Sequence, residues 1–213
     1  MIQNVFVLGA TGKVGSTAVK QILEKDADSA KHNSPTRIVG VASSENYLFS
    51  QNGLSKQECL DFVEKKGEFK QFNNLLELLT VVSRAGIIVV FVDATASHDL
   101  EFHKAVSQKK EFGLVTANKL PLVDCSFQVF KELTQSPSSY GYRCSVMAGA
   151  ESVNLLQDLR DVSDSIHSIS GCFSGTIGFI CTELSKERKL SEIVKQAQEK
   201  GYTEPHPKDD LNG

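Results

Sequence analysis

A short apolar run, Val5-Phe-Val-Leu, stops at Gly9 and turns through Ala10, Thr11, Gly12, Lys13 and Val14 to Gly15. Beyond it, Ala18, Val19, Ile22 and Leu23 recur at helical spacing. The segment reads as a strand, a tight turn and a helix N-terminus. Such a unit constrains a chain strongly, because the turn must lie at a strand's carboxyl end beneath the first turn of a covering helix. N–H groups in that first turn have no intrahelical acceptor, and the helix dipole favours negative charge there. Small residues let a diphosphate approach the backbone closely. The segment points to a nucleotide held near the start of the chain.

The glycines read G-x-x-G-x-x-G, one residue longer in the first interval than the usual dinucleotide fingerprint. Gly12 is expected against the phosphates, and Gly15 where helix and strand pack closely. A glycine-rich turn that binds nothing is the alternative. A kinase-like phosphate loop is excluded: position 7 is Val, and Gly12-Lys13 is followed by Val14 rather than a hydroxyl residue. Arg37 to Ala42 reads as the second strand, followed by Ser43-Ser44-Glu45. A carboxylate at that tip would accept bonds from ribose hydroxyls, whereas serines tolerate a 2′-phosphate. Glu45 either reaches the ribose or is solvated, so NAD and NADP both stay open.

Hydrophobic content of 40% and charged content of 23% over 213 residues suit a soluble globular chain with one complete domain and part of a second. A formal net charge of -3 gives no argument for nucleic acid. The longest aliphatic and aromatic run, Ile87 to Val92, is far too short for a bilayer. No secretory leader is read before the first strand, and the five scattered cysteines suit reduced thiols, so the expected location is cytoplasmic.

Strand and helix patterns alternate. After a polar loop from Asp26 to Thr36, helices are expected around 55–66 and 73–84, with a strand over 86–92. Next come a helix over 98–109, a strand over 113–116, a helix near 125–133 and a last strand over 140–146. This order implies a doubly wound, Rossmann-type parallel sheet over residues 1–149, an α/β fold whose ligands collect beyond the carboxyl ends of the strands. Residues 150–213 read as the first part of a second, α+β domain: a helix over 153–159, an alternating strand over 165–173, a helix capped by Ser174, and a helix ending at Gly201.

Several groups stand where chemistry is expected. Thr95, within Asp93-Ala-Thr95, is a candidate contact for the nicotinamide ribose, or else a cap for the helix at His98. Lys119 follows a strand end, where an ammonium polarises a carbonyl or holds a carboxylate; a solvated loop lysine is the commoner fate. Glu204, Asp209 and Asp210 form an acidic cluster suited to an α-ammonium group, with Thr176 and Tyr202 as neutral hydrogen-bonding partners. His98, His103 and His167 show no metal-ligand spacing, His206 stands isolated between prolines, and none is assigned a catalytic role.

Four segments together resemble the homoserine dehydrogenase family: Gly9 to Gly15, Val115-Thr-Ala-Asn-Lys119, Ser170-Gly-Cys-Phe-Ser-Gly-Thr176, and Gly201-Tyr-Thr-Glu-Pro-His-Pro-Lys-Asp-Asp-Leu-Asn-Gly213. The last is the most specific, and the resemblance runs the length of the chain. It implies NAD(P)-dependent interconversion of L-homoserine and L-aspartate 4-semialdehyde, on the route to threonine and methionine. By position, Gly9, Ala10, Thr11, Gly12, Lys13, Val14 and Gly15 would hold the diphosphate. Ser43 and Thr95 would touch the cofactor, and Lys119 would face both cofactor and substrate as the candidate catalytic group. Gly175, Thr176, Tyr202, Glu204 and Asp210 would surround the amino acid. The family also implies a homodimer and a monovalent cation such as Na+, with Val146 and Ala148 as carbonyl donors.

The chain departs from the family pattern at Glu151-Ser152, where a proline is usual, at Arg143, a poor neighbour for a cation, and at His206. The family's proton-transfer aspartate and lysine would lie on a helix after Gly213, so slow or absent turnover is expected of this stretch. Two alternatives stand beside this one. An aspartate-semialdehyde dehydrogenase would need an activated cysteine, for which Cys125 is the candidate. A non-catalytic NAD(P)-binding module would bind without turnover.

Overall fold

The computed structural model describes residues 2–27, 35–204 and 206–212. Most of the loop expected between the first helix and second strand lies outside them. The chain divides into two compact units, Met1–Val153 and Asn154–Gly213.

In the first unit, β1 (Gln3–Leu8) leads through the glycine turn into α1 (Lys13–Ala27), and β2 (Thr36–Ala42) follows. Alternation along β1 sorts its side chains to two faces. Val5 and Val7 join Val19, Ile38, Val41, Cys59 and Phe62 in one buried cluster. Phe6 and Leu8 join Val39, Leu78, Phe91 and Phe102 in the other. Both sheet faces are therefore covered, which is why the strands read as nearly unbroken apolar runs. α1 and α2 (Lys56–Val63) supply the first cluster. The second is closed by α3 (Leu75–Ser83), α4 (Leu100–Ser107) and α6 (Phe127–Thr134).

The remaining elements of this unit are β3 (Asn46–Phe49), β4 (Lys70–Gln71), β5 (Val89–Asp93), β6 (Phe112–Thr116), α5 (Leu120–Asp124) and β7 (Tyr140–Gly141). The sheet order is β4-β3-β2-β1-β5-β6-β7. From β2 to β7 the neighbours run parallel, while β3 and β4 extend the edge antiparallel. After β1 the chain travels outward to β4 and then returns to β5 on β1's other side. That reversal makes the end of β1 a topological switch point, where a crevice opens between diverging loops.

The expected strand over 140–146 shortens to β7. Residues Arg143–Ser145 and Met147–Gly149 form two 3₁₀ turns instead, with Met147 and Ala148 at φ 50° and 52°. Left-handed backbone at two successive residues cannot continue a strand ladder. The expected strand over 86–92 begins three residues late, and β3, β4 and α5 are additions that the sequence pattern is too short to reveal.

The second unit begins within α7 (Ser152–Asp161) and contains α8 (Gly175–Leu184), α9 (Leu190–Glu199) and α10 (Pro207–Leu211). Thr176 and Ile180 of α8 and Ile193 and Ala197 of α9 are its buried side chains. Ser174 caps α8 by accepting from the Ile177 amide at 3.1 Å. Gly201, at φ 69°, follows the α9 C-cap as expected. The expected strand over 165–173 does not form: these residues are exposed and belong to neither helix nor strand. Apolar spacing selects a face but supplies no partner edge, and among the described residues none pairs with this segment.

Candidate functional site

The glycine turn is fixed by crowding from below. Gly9 has φ 75°, and a Cβ there would lie 2.6 Å from the Ala94 carbonyl oxygen. A Cβ on Gly15 would press into the Gly9 carbonyl more closely than real Cβ atoms approach backbone. Gly12 differs. Its Cβ would meet only the Gly9 oxygen, at 3.3 Å, and otherwise open space. So Gly9 and Gly15 let α1 and the loop after β5 close on the strand, while Gly12 leaves the upper side of the turn bare. The Gly12 amide donates to Gly9 O at 2.9 Å, and Ala10 N donates to Ala42 O at 2.8 Å, tying the turn to the end of β2. Above it stands the first turn of α1, with Gly12, Lys13 and Val14 exposed. α1 carries no acidic residue in that turn, so nothing there offsets the positive end of its dipole.

Beside the turn, at the carboxyl end of β2, lies a cleft of about 560 Å³ whose lining includes Thr11, Ser43, Ser44, Glu45, Lys65 and Phe69. The Ser43 hydroxyl accepts from Asn46 N at 3.1 Å, so it serves the local turn. Lys65 was not singled out in the sequence. It reaches the cleft from just beyond α2, at φ 59°.

On the other side of β1, the ends of β5 and β6 are joined through Asp93, which is 2% exposed. Its Oδ1 accepts the Thr95 amide at 2.9 Å and the Thr95 hydroxyl at 2.7 Å. Its Oδ2 accepts from His103 Nε2 at 3.0 Å and Asn118 Nδ2 at 3.2 Å. Burial alone would raise this carboxyl's pKa. The bonds from His103 and Thr95 outweigh burial and hold it below the ordinary aspartate value. Thr95 thus spends its amide and hydroxyl protons on Asp93, and the cap of α4 is Asp99, not Thr95. Lys119 is exposed at the N-cap of α5, directly after Asn118.

In the second unit, the Thr176 hydroxyl donates to the Tyr202 carbonyl at 2.6 Å, and the Glu204 amide donates to Asp210 Oδ2 at 2.8 Å. Gly175 opens α8, and Tyr202 is half exposed with its ring edge-on to Phe179. The structure therefore joins Thr176 to Tyr202 and Glu204 to Asp210. Asp209 shares the first turn of α10 with Asp210, and His206 caps that helix by accepting from Lys208 N. Ala148 lies in the second 3₁₀ turn after β7, and Val146 caps between the two turns. Among the described residues no cluster of three or more His, Cys, Asp or Glu side chains is set to hold a metal.

From the sequence, Asn118 and Tyr140 were given no site role, and His103 was considered and assigned none. Asn118 sits inside a quoted segment and could have been found there; His103 could not, since its partners Asp93 and Tyr140 meet it only through the sheet.

A parallel sheet covered on both faces, with a glycine turn at its switch point, defines a Rossmann-type α/β protein. The homoserine dehydrogenase family matches residues 152–213. A bifunctional aspartokinase/homoserine dehydrogenase of Haemophilus influenzae is 30% identical over all of this chain, which covers 26% of that protein. A homoserine dehydrogenase of Schizosaccharomyces pombe is 28% identical over 99% of the chain, which covers 58% of its length. Among solved structures, homoserine dehydrogenase from Thermoplasma acidophilum superposes with TM-score 0.75 at 23% identity, over 100% of this chain and 65% of that one. A hyperthermophilic archaeal homoserine dehydrogenase in complex with NADPH gives TM-score 0.75 at 20% identity, over 100% and 66%. Residues 152–213 thus match the homoserine dehydrogenase family, and the chain spans about a quarter of the bifunctional relatives' length.

Proposed function

We propose that this chain carries the cofactor site and part of the substrate site of an NAD(P)-dependent homoserine dehydrogenase. The observation that carries the reading is the glycine turn: two glycines closed off from below, one open above, beneath the N-terminus of a 15-residue helix. A dinucleotide's diphosphate fits that bare surface, where backbone N–H groups and the helix dipole meet it. The NADPH complex of the archaeal relative supports the same cofactor.

When bound, the nicotinamide supplies hydride exchange with the carbon bearing the homoserine hydroxyl. The protein's part is to hold, orient and neutralise. The ends of β5 and β6 form the wall for the nicotinamide riboside, and Lys119 supplies positive charge where oxygen gains or loses its proton. Glu204, steadied through its amide by Asp210, offers a carboxylate for the amino group, and the Thr176–Tyr202 pair shapes the same surface. Val146 and Ala148 remain the proposed carbonyl donors to a monovalent cation, and a homodimer is the proposed assembly.

A thiol-dependent aspartate-semialdehyde dehydrogenase is disfavoured. The Cys125 thiol donates to Leu122 O at 3.3 Å, and burial raises its pKa, as it raises that of Cys59 to about 11. Ser43 and Ser44 at the β2 tip, with Lys65 across the cleft, favour NADP over NAD.

Titration of the chain with NADPH and NADH, followed by nicotinamide fluorescence, tests the reading. Saturable binding with NADPH tighter, and loss of that preference in Lys65→Ala, is the expected result. Failure to bind either nucleotide would sink it.

A further inference from the structure

Behind the β5–β6 crevice lies a buried polar group to which the cofactor reading gives no task. His103 of α4 is 1% exposed and Tyr140 of β7 is 2% exposed. The Tyr140 hydroxyl stands 2.7 Å from His103 Nδ1, and His103 Nε2 stands 3.0 Å from Asp93 Oδ2. Burial, with the charge of Asp93, raises the Tyr140 pKa far enough that the hydroxyl keeps its proton. Nδ1 therefore faces the tyrosine hydroxyl and Nε2 faces the carboxylate.

The carboxylate then has one oxygen addressed from the core and the other given wholly to Thr95. Asn118 completes the frame: its Nδ2 reaches Asp93 Oδ2, and also Ser97 O at 2.7 Å, so the loops after β5 and β6 are bound to one another. The Asn118 carboxamide oxygen accepts Leu120 N at 3.1 Å, at the start of α5 beside Lys119. Both crevice loops hang on one carboxylate whose plane is set from α4 and β7.

Resting on the cofactor reading above, we propose that Tyr140, His103 and Asp93 form a positioning relay that fixes the loops after β5 and β6 to receive the nicotinamide riboside. His103 and Tyr140 contribute to cofactor geometry without touching the cofactor. A purely structural histidine would contribute to stability alone. A relay acts on one half of the dinucleotide, because the adenosine cleft lies on the far side of β1 and shares none of these residues.

The test compares affinity for NADPH with affinity for 2′,5′-ADP, which lacks the nicotinamide half, in the full chain. In His103→Leu, NADPH binding is expected to weaken about tenfold, with 2′,5′-ADP binding unchanged. His103→Gln, which keeps a donor toward Asp93, recovers most of the loss. Tyr140→Phe removes a single oxygen and shows the same selective direction, which decides the matter should His103→Leu not fold. Equal weakening of both ligands, or an unchanged ratio in folded variants, would overturn the relay alone. A wild-type chain that binds neither ligand would overturn the cofactor reading together with it.

Discussion

One methyl group separates the two tasks of the glycine turn. On Gly15 it would collide with the Gly9 carbonyl, whereas on Gly12 it would press only on the Gly9 oxygen, at 3.3 Å. Gly15→Ala is therefore expected to destabilise the chain by about 1–3 kcal/mol, as overpacking does. Gly12→Ala, with a single milder contact, should cost less than Gly15→Ala, at most about 1 kcal/mol. Yet it should bind NADPH at least about tenfold more weakly, because its methyl occupies the phosphates' approach. Thermal melts paired with fluorescence titrations separate the two, and unimpaired binding in Gly12→Ala would contradict the placement of the diphosphate. Asp93 gives a pH signature with a definite sign. Its folded pKa lies below the unfolded value, so the stability it contributes is present above the ordinary aspartate pKa. That stability is lost as pH falls through the folded value. Denaturant midpoints measured from neutrality down to acid should show this decline, and Asp93→Asn should flatten it. At this scale the sequence was legible where the backbone itself is the functional group. The need for Gly9 and Gly15 shows in their spacing alone. Lys65, His103 and Tyr140 were not legible, because each acts through a neighbour distant in the chain.

Elements were read best where chemistry marks their ends. Ser174 and Gly201 bound their helices as their residue types require. α2 carries a complete capping box: the Ser55 hydroxyl accepts Glu58 N at 3.2 Å, and Glu58 Oε2 accepts Ser55 N at 2.7 Å. Ser55→Ala should cost about 1 kcal/mol. Because α2 buries Cys59 and Phe62 under the sheet, that loss should appear in the global melt rather than as local fraying. An unchanged melting temperature would mean that α2 opens independently. The short strands β3 and β4 escaped notice because four and two residues are too few to establish a period. The reverse error, a strand assigned to 165–173, has the matching cause. Periodicity describes one segment, but a strand is a relation between two.

Considered whole, the chain distributes its apolar surface unevenly. The sheet unit buries Phe6, Phe91, Phe102 and Leu114 almost completely. In the helical unit Leu155, Val162, Ile169 and Phe173 are all more than half exposed. Exposed apolar side chains favour association. Light scattering on a concentration series should reveal oligomers that dissociate on dilution, and Ile169→Ser combined with Phe173→Ser should shift the equilibrium toward monomer. A strictly monomeric wild type at high concentration would show these side chains to be harmless in water.

The sequence by itself determined the doubly wound plan, the place of the turn and the family, because alternation, helical spacing and glycine requirements are written locally along the backbone. Only the tertiary structure decided which side chains stand behind the crevice. Asp93, His103 and Tyr140 lie on three separate elements. Their meeting depends on sheet order and register, which arise from packing the whole chain and leave no trace in any one stretch of it.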